Sequence, residues 1–256
     1  MIANYHTHTP RCHHAQGTEE EFVRAALAGG LKILGFSDLS PYYFPGDYQS
    51  KFRMDPQQLA DYADSVRTLA KKYAGRLQIH LGVEAEFYPY GFDRTLRLLQ
   101  DHGVEYMILA PHFINNEVGE LYSGRPSPSV ERLVKYCDQH IQALETGLFT
   151  YMAHPDMLNF EGDQVLYEQH MRRLCKAAKA CDVPLEINLL GVAEGRVYPN
   201  ERFWRIAAEE GCQAVLGCDA HNPGMVPNPQ AEAKALEMVK KYQITLLDTV
   251  PLRPIG

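Results

Sequence analysis

Short apolar runs alternate with longer helix-spaced segments, and this constrains the fold more than any other feature of the sequence. The runs are Ile2–Tyr5, Lys32–Ser37, Leu77–Val83, Tyr106–Ala110, Phe149–Ala153, Pro184–Asn188 and Ala214–Gly217, with an eighth at Ile244–Leu247. Runs this short and rich in Ile, Val and Leu read as strands buried on both faces of a parallel sheet. The segments between them carry helix punctuation. Thr18 with Glu21 forms a capping box, and that helix stops at Gly29 and Gly30. Asp55-Pro56 is an N-cap with proline at the first helical position. Leu59, Tyr62, Ala63, Val66, Leu69, Ala70 and Tyr73 then keep a three-four spacing up to Gly75. Ser127-Pro128 repeats the start signal, with Gly147 as the stop. Further helices fit Phe92–His102, Asp163–Ala180, Asn200–Glu210 and Pro229–Tyr242.

Strand and helix therefore alternate, which implies parallel strands joined by right-handed crossovers. An open doubly wound sheet or a closed β/α barrel would satisfy this order. A dinucleotide fold would place GxGxxG after its first strand, whereas here His6, Thr7 and His8 follow it. The expectation is a TIM-like β/α barrel with parallel strands and outer helices. No linker or low-complexity tract divides residues 1–256, so one domain is expected.

Polar residues at the run ends decide what such a barrel could do. The first run ends in His6 and His8, the second in Asp38, and the third carries Glu84 and Glu86. The fourth ends in His112 and the fifth in His154. The sixth carries Glu186 and Asn188, and the seventh ends in Asp219 and His221. In a barrel these strand ends meet on one face, where active sites are built. Imidazoles with carboxylates suit Zn, Mn or Fe, and their number exceeds what one ion needs, so two or three divalent ions are implied. Glu84 could bridge two of them through its two oxygens. Each piece alone has a plainer explanation: His112 as a core histidine, Asp219 and His221 as a turn and cap. Separate explanations for five strand ends are harder to sustain than one shared site.

His80, His102, His140 and His170 are assigned to packing or the surface. His13 and His14 follow the first strand, and one of them can reach the cluster. Of the six cysteines only Cys12 lies among histidines; zinc's usual partners surround it in excess. The absence of a cysteine framework suits reduced thiols in a cytoplasm. No signal peptide or membrane-spanning run is visible. The net charge, 25 − 32 = −7 with histidines neutral, is spread along the chain and argues against a nucleic-acid partner.

The segments His6–His14 (HTHTPRCHH), Gly35–Pro41 (GFSDLSP), Leu81–Phe87 (LGVEAEF), His112–Ile114, Ala153–Asp156 (AHPD) and Gly217–His221 (GCDAH) occur in one order over almost the whole chain. As a set they resemble the PHP (polymerase and histidinol phosphatase) superfamily, and within it the stand-alone histidinol-phosphate phosphatases. The resemblance implies a distorted seven-stranded β/α barrel holding three metals. His6, His8, Glu84 and Asp219 would hold the first. Glu84, His112 and His154 would hold the second, with His14 and His221 contributing to a third. The family usually places histidine after the aspartate of the second motif; here that residue is Leu39. Leucine has no lone pair, so the third site lacks a ligand unless another group, such as His13, replaces it.

The activity so implied is hydrolysis of L-histidinol phosphate by a metal-activated hydroxide, a step of histidine biosynthesis. Glu84, His221 and Asp156 are the candidate catalytic residues, the last two as acids for the leaving group. Arg196, Arg53 and Arg125 follow barrel strands and could fork onto phosphate. Glu86 could attract the substrate amine, and Tyr42–Phe44 with Tyr88 and Tyr90 could wall its ring. Asp38 would orient a ligand imidazole. The competing readings are a phosphoesterase for another small ester and a metal-binding protein whose catalysis was lost with Leu39. A polymerase-associated nuclease wants a basic groove. A dinuclear amide hydrolase wants a strand-end lysine, and Lys32 begins its strand.

Overall fold

The structure, a computed structural model, describes residues 1–256. Eight parallel strands form one sheet in sequence order: β1 (Ala3–Asn4), β2 (Ile33–Leu39), β3 (Gln78–Glu86), β4 (Tyr106–Ala110), β5 (Phe149–Met152), β6 (Leu185–Asn188), β7 (Gln213–Gly217) and β8 (Thr245–Leu247). The helices between them are α1 (Glu19–Ala28), α2 (Leu59–Lys72), α3 (Phe92–Asp101), α4 (Val130–Glu145), α5 (Gln164–Ala180), α6 (Leu189–Glu194), α7 (Glu201–Glu209) and α8 (Pro229–Tyr242).

The sheet curls into a distorted TIM-like barrel, and its two ends close differently. At the C-terminal end of the strands, the chain after β1 meets the chain after β7. His8 N–H donates to the Ala220 carbonyl at 2.9 Å, and Ala220 N–H donates to His6 at 3.2 Å. The Asn4 side chain locks this seam, donating to Thr7 Oγ1 at 2.8 Å and accepting from Cys218 N–H at 2.8 Å. At the other end β8 pairs only with Gln213–Val215, the first residues of β7. The strand count is therefore eight rather than seven. The seam at the site end is made by the first and seventh strand segments, as in the seven-stranded barrel expected.

Side-chain alternation divides the strands between two cores. Outward residues such as Val83, Leu109, Ile187 and Leu216 join the helices in a cluster of 59 buried residues running from Phe22 to Ile255. Inward residues fill the barrel floor: Tyr5, Tyr106, Ile108, Tyr151 and Val215, with Val250 from the tail. Tyr106 crosses the lumen to donate to the Tyr5 carbonyl at 2.8 Å. It fits because β2 and β3 carry glycine opposite it; a Cβ on Gly35 would lie 2.1 Å from its hydroxyl, and one on Gly82 2.2 Å from its ring. The floor is closed by aromatic rings, so the charged residues gather at the other end.

The capping box of α1 is present, with Thr18 accepting from Glu21 N–H and Glu21 reaching back to Thr18 N–H. One local expectation needs correction. The start of α4 is capped by Ser129, not Ser127, which instead pairs as an isolated bridge with Phe160. The residues after β6 form the short helix α6, which the Asn188 side chain caps at Gly191 N–H, 2.9 Å away. No helix is long and apolar enough to cross a membrane.

Candidate metal centre

Inward-facing residues at the strand ends converge on Glu84. This carboxylate, at the end of β3, is buried and offers its two oxygens to different partners. Oε2 lies 3.4 Å from His6 Nε2 and 3.5 Å from His8 Nε2. Oε1 lies 3.0 Å from His154 Nε2 and 3.6 Å from His112 Nε2. Asp219 Oδ1 completes the first group, 3.4 Å from His6 Nε2 and 3.1 Å from His8 Nε2. The Nε2 atoms of His6 and His8 are buried and have no hydrogen-bond partner. Buried nitrogens left unpaired among carboxylates are costly unless a cation joins them. His6, His8 and Asp219 place one donor atom each within 4.8 Å of one another, as do His6, Glu84 and His154. The donor set fits divalent metal.

A ring of further carboxylates sets the histidines in place. His6 Nδ1 lies 2.7 Å from Glu186 Oε1, and Glu186 Oε2 accepts from His154 N–H at 3.1 Å. Asn188 joins Glu186 to Asp219, donating to both at 2.9 and 3.1 Å. Glu186 needs room, and Gly217 supplies it: a Cβ there would lie 1.8 Å from Oε1. His8 Nδ1 lies 3.4 Å from Asp38, and His112 Nδ1 3.0 Å from Glu86. Anchoring the far ring nitrogen fixes tautomer and orientation and raises ligand basicity. Two ligands also sit in unusual backbone conformations, His154 at φ 26° and Asp219 at φ 49°. Such angles in non-glycine residues are strained and concentrate at functional sites.

The electrostatics favour a cation. Burial opposes a charged His6, yet Glu186, Asp219 and Glu84 overcome it and raise its pKa to about 10. Burial likewise opposes charge on Glu84, but His112 and His6, with bonds from His154 and His6, hold it well below the carboxylate range. The carboxylates thus stay ionised and draw protons onto the rings, which a metal would displace.

Beside this buried half lies an outer corner. His14 and His221 face each other, Nε2 to Nε2 at 3.0 Å, and their Nδ1 atoms contact the carbonyls of Cys12 and Asp219 at 2.6 and 2.9 Å. His221 is driven down to about 3 by burial and by His8. Leu39 forms the wall here, packed in a small apolar cluster with Cys12, Ala15 and Phe52. His13 is turned out to solvent at φ 67° and does not line the site, so it does not replace the missing histidine.

A cleft of about 540 Å³ opens above the cluster. Its wall includes Arg196, Lys51, Glu194, Asn222, Tyr122 and Tyr198. Arg196 is tied to Glu194 at 2.8 Å and to the Tyr198 hydroxyl at 2.8 Å. Lys51 has no ion-pair partner. Its place follows a loop whose fold depends on tertiary contacts, and no local pattern marks it.

Four candidate substrate or catalytic residues lie elsewhere. Arg53 is buried, holding Glu86 at 2.7 and 2.8 Å and Glu117 at 2.9 Å, with the Ser40 carbonyl as a further acceptor. It therefore has no free fork for phosphate. Glu86, saturated by Arg53 and His112, is not open to a substrate amine. Arg125 is exposed and does not line the cleft. Asp156 is buried outside the cleft and accepts from Asn200 N–H, fixing the segment that follows Arg196 and Tyr198. The aromatic wall differs too: Phe52, Phe113, Tyr122 and Tyr198 line the cleft, while Tyr42 donates to the Glu86 carbonyl at 2.8 Å.

The model of the PHP domain family matches residues 4–189, a span holding His6, His8, His14, Glu84, His112 and His154. The chain belongs to the PHP family. This PHP chain is 32% identical over 235 residues to a Deinococcus radiodurans protein named "Probable histidinol-phosphatase", covering 88% of each. It is 23% identical over 283 residues to a Schizosaccharomyces pombe protein of the same name, covering 100% of this chain and 92% of the relative. Its fold is similar to the crystal structure of a Lactococcus lactis histidinol phosphate phosphatase complexed with zinc, L-histidinol and phosphate. The TM-score is 0.76 at 18% identity, over 97% of this chain and 96% of that one.

Proposed function

We propose that this PHP chain hydrolyses L-histidinol phosphate to L-histidinol and phosphate with two or more divalent ions, zinc among them. The observation that carries the reading is the Glu84-centred cluster at the base of a cleft with cationic residues on its wall. The name of the Deinococcus relative supports the substrate, as does the ligand set bound by the Lactococcus protein. His6, His8, Asp219 and Glu84 Oε2 would hold one ion, and His112, His154 and Glu84 Oε1 the other. Bound there, the ions supply activated water at neutral pH and neutralise charge on phosphate oxygens.

The remaining work falls to the chain. Arg196, held by Glu194 and Tyr198, presents a fixed guanidinium to a phosphate oxygen. Lys51 adds a second positive charge to the cleft wall. Glu194 is the carboxylate at the mouth outside the metal cluster, and it takes the ammonium role first given to Glu86. Phe52 and Phe113, stacked with centroids 5.7 Å apart, offer an apolar face to the imidazole. His221 lines the cleft, but burial and His8 keep its imidazole neutral and its Nε2 faces His14, so the acid role first given to it passes to water in the cleft.

Residues 1–256 act as one unit in this reading, since a single core cluster spans Phe22 to Ile255. The six cysteines are unpaired, in keeping with a reducing compartment and biosynthetic work there. The test is phosphate release from L-histidinol phosphate beside a panel of other monoesters, with metal added or chelated. Metal-dependent turnover with strong preference for histidinol phosphate is expected. Preference for another monoester would move the substrate, and silence with metal bound would end the phosphatase reading.

A further inference from the structure

The PHP resemblance implies an imidazole at the outer corner where this chain carries Leu39, and a different donor stands next to that position. Cys12 is fully buried and packs directly against Leu39. Its Sγ lies within 4.8 Å of ligand nitrogens of both His8 and His221, and those two lie within the same distance of each other. His8 Nε2, 3.1 Å from Asp219 Oδ1, belongs with the inner half. His14 joins Cys12 and His221 at the corner, its ring set against the Cys12 thiol and carbonyl. The His14 and His221 Nε2 atoms are 3.0 Å apart. Two imidazole nitrogens on one tetrahedral zinc stand about 3.3 Å apart, given Zn–N bonds of about 2.0–2.1 Å. Two facing imidazoles thus have the spacing of a shared ion.

The local backbone brings the thiol there. Thr9 caps a short 3-10 turn over Pro10–Cys12, and the left-handed residue His13 turns the chain after it. The turn sends Cys12 inward and His13 outward, while His14 returns to the cleft. A nitrogen ligand lost from β2 is thereby matched by a sulfur ligand from the loop after β1.

We infer that Cys12 is a metal ligand, completing with His14 and His221 a third ion site in which a thiolate does the work of the histidine replaced by Leu39. The fourth position opens to the cleft. A thiolate is a soft ligand, so this corner selects zinc or cobalt over manganese, unlike the inner half with its nitrogen and carboxylate donors. The inference rests on the metal cluster of the proposed function, not on the identity of the substrate.

The test is titration of the metal-free full chain with Co(II), followed by absorption spectroscopy and by metal analysis after gel filtration. Wild type should bind a third equivalent that brings a near-ultraviolet thiolate-to-cobalt charge-transfer band. Cys12→Ala and Cys12→Ser should each lose the band and the third equivalent while keeping the first two, which also shows that they fold. Cys12→Ala with Leu39→His should regain the third equivalent without the band. A third equivalent lacking the band in wild type, or one retained in full by Cys12→Ala, would overturn the inference; so would failure of wild type to take up a third ion. Phosphate release measured on the same samples separates the two readings: a thiolate band in a protein inactive on every monoester would sink the phosphatase and leave the ligand standing.

Discussion

Around Glu84 three of the four histidines have the far ring nitrogen against a carboxylate, His6 against Glu186, His8 against Asp38 and His112 against Glu86, while His154 meets Glu186 only through its backbone N–H. Around the outer corner His14 and His221 lean instead on the backbone carbonyls of Cys12 and Asp219. The inner residues are almost all buried, whereas His14 is exposed and His221 half-buried. The difference is one of charge and of access. Buried carboxylates raise ligand basicity and demand a cation, while neutral carbonyls only orient the rings. In the function proposed above, the inner half therefore suits tightly held metal, and the outer corner an ion in contact with solvent and substrate.

The comparison breaks most severely at the shared carboxylate. Glu84→Gln should cost both inner ions together and lower phosphate release on the order of a thousand-fold. Loss of only one ion, seen by metal analysis, would mean that the two inner groups are independent. Glu186→Gln and Asp38→Asn address the backing alone. Each should weaken inner-ion affinity by about 10–100-fold, measured by competition with a chelator, and leave the outer corner less affected. Equal weakening of both regions would erase the distinction.

Arg196→Ala removes a wall cation and no ligand. It should raise KM about 10-fold, or about 1.4 kcal/mol, with metal content unchanged. Leu39→His adds an imidazole at the outer corner, and a few-fold tightening of the last ion is expected there. No change in ion uptake would mean that the corner is already complete. The mildest test lies outside both regions. His140 is buried in α4, where burial lowers its pKa to about 4 despite a bond to the Tyr136 carbonyl. As pH falls from 7 to 5 the unfolded chain takes up a proton that the folded chain refuses, so stability falls. The loss is about 2 kcal/mol, and His140→Leu should flatten it without changing metal affinity.

Much of this was legible in the linear chain. Strand positions followed from short apolar runs, and most helix limits from caps and glycines, because both are local physics. The convergence of the histidines and carboxylates was legible because a barrel brings every strand end to one face. Ser129 shows where local reading failed: Ser127 and Ser129 are both plausible caps, and the pairing of Ser127 with Phe160 decided between them. Arg53 shows the same at the site. Its position after a strand suited a phosphate ligand, but burial beside Glu86 and Glu117 made it a clamp.

The sequence by itself determined the alternation of strand and helix, the barrel class and the gathering of histidines and carboxylates at the strand ends, since each rests on local spacing and on the strand order that follows from it. Only the tertiary structure decided which cations line the cleft, why Glu86 is closed to substrate, and that Cys12 stands beside Leu39. Those facts depend on the direction of side chains from segments far apart in the chain. Direction is fixed by packing and hydrogen bonds across the barrel rather than by residue type.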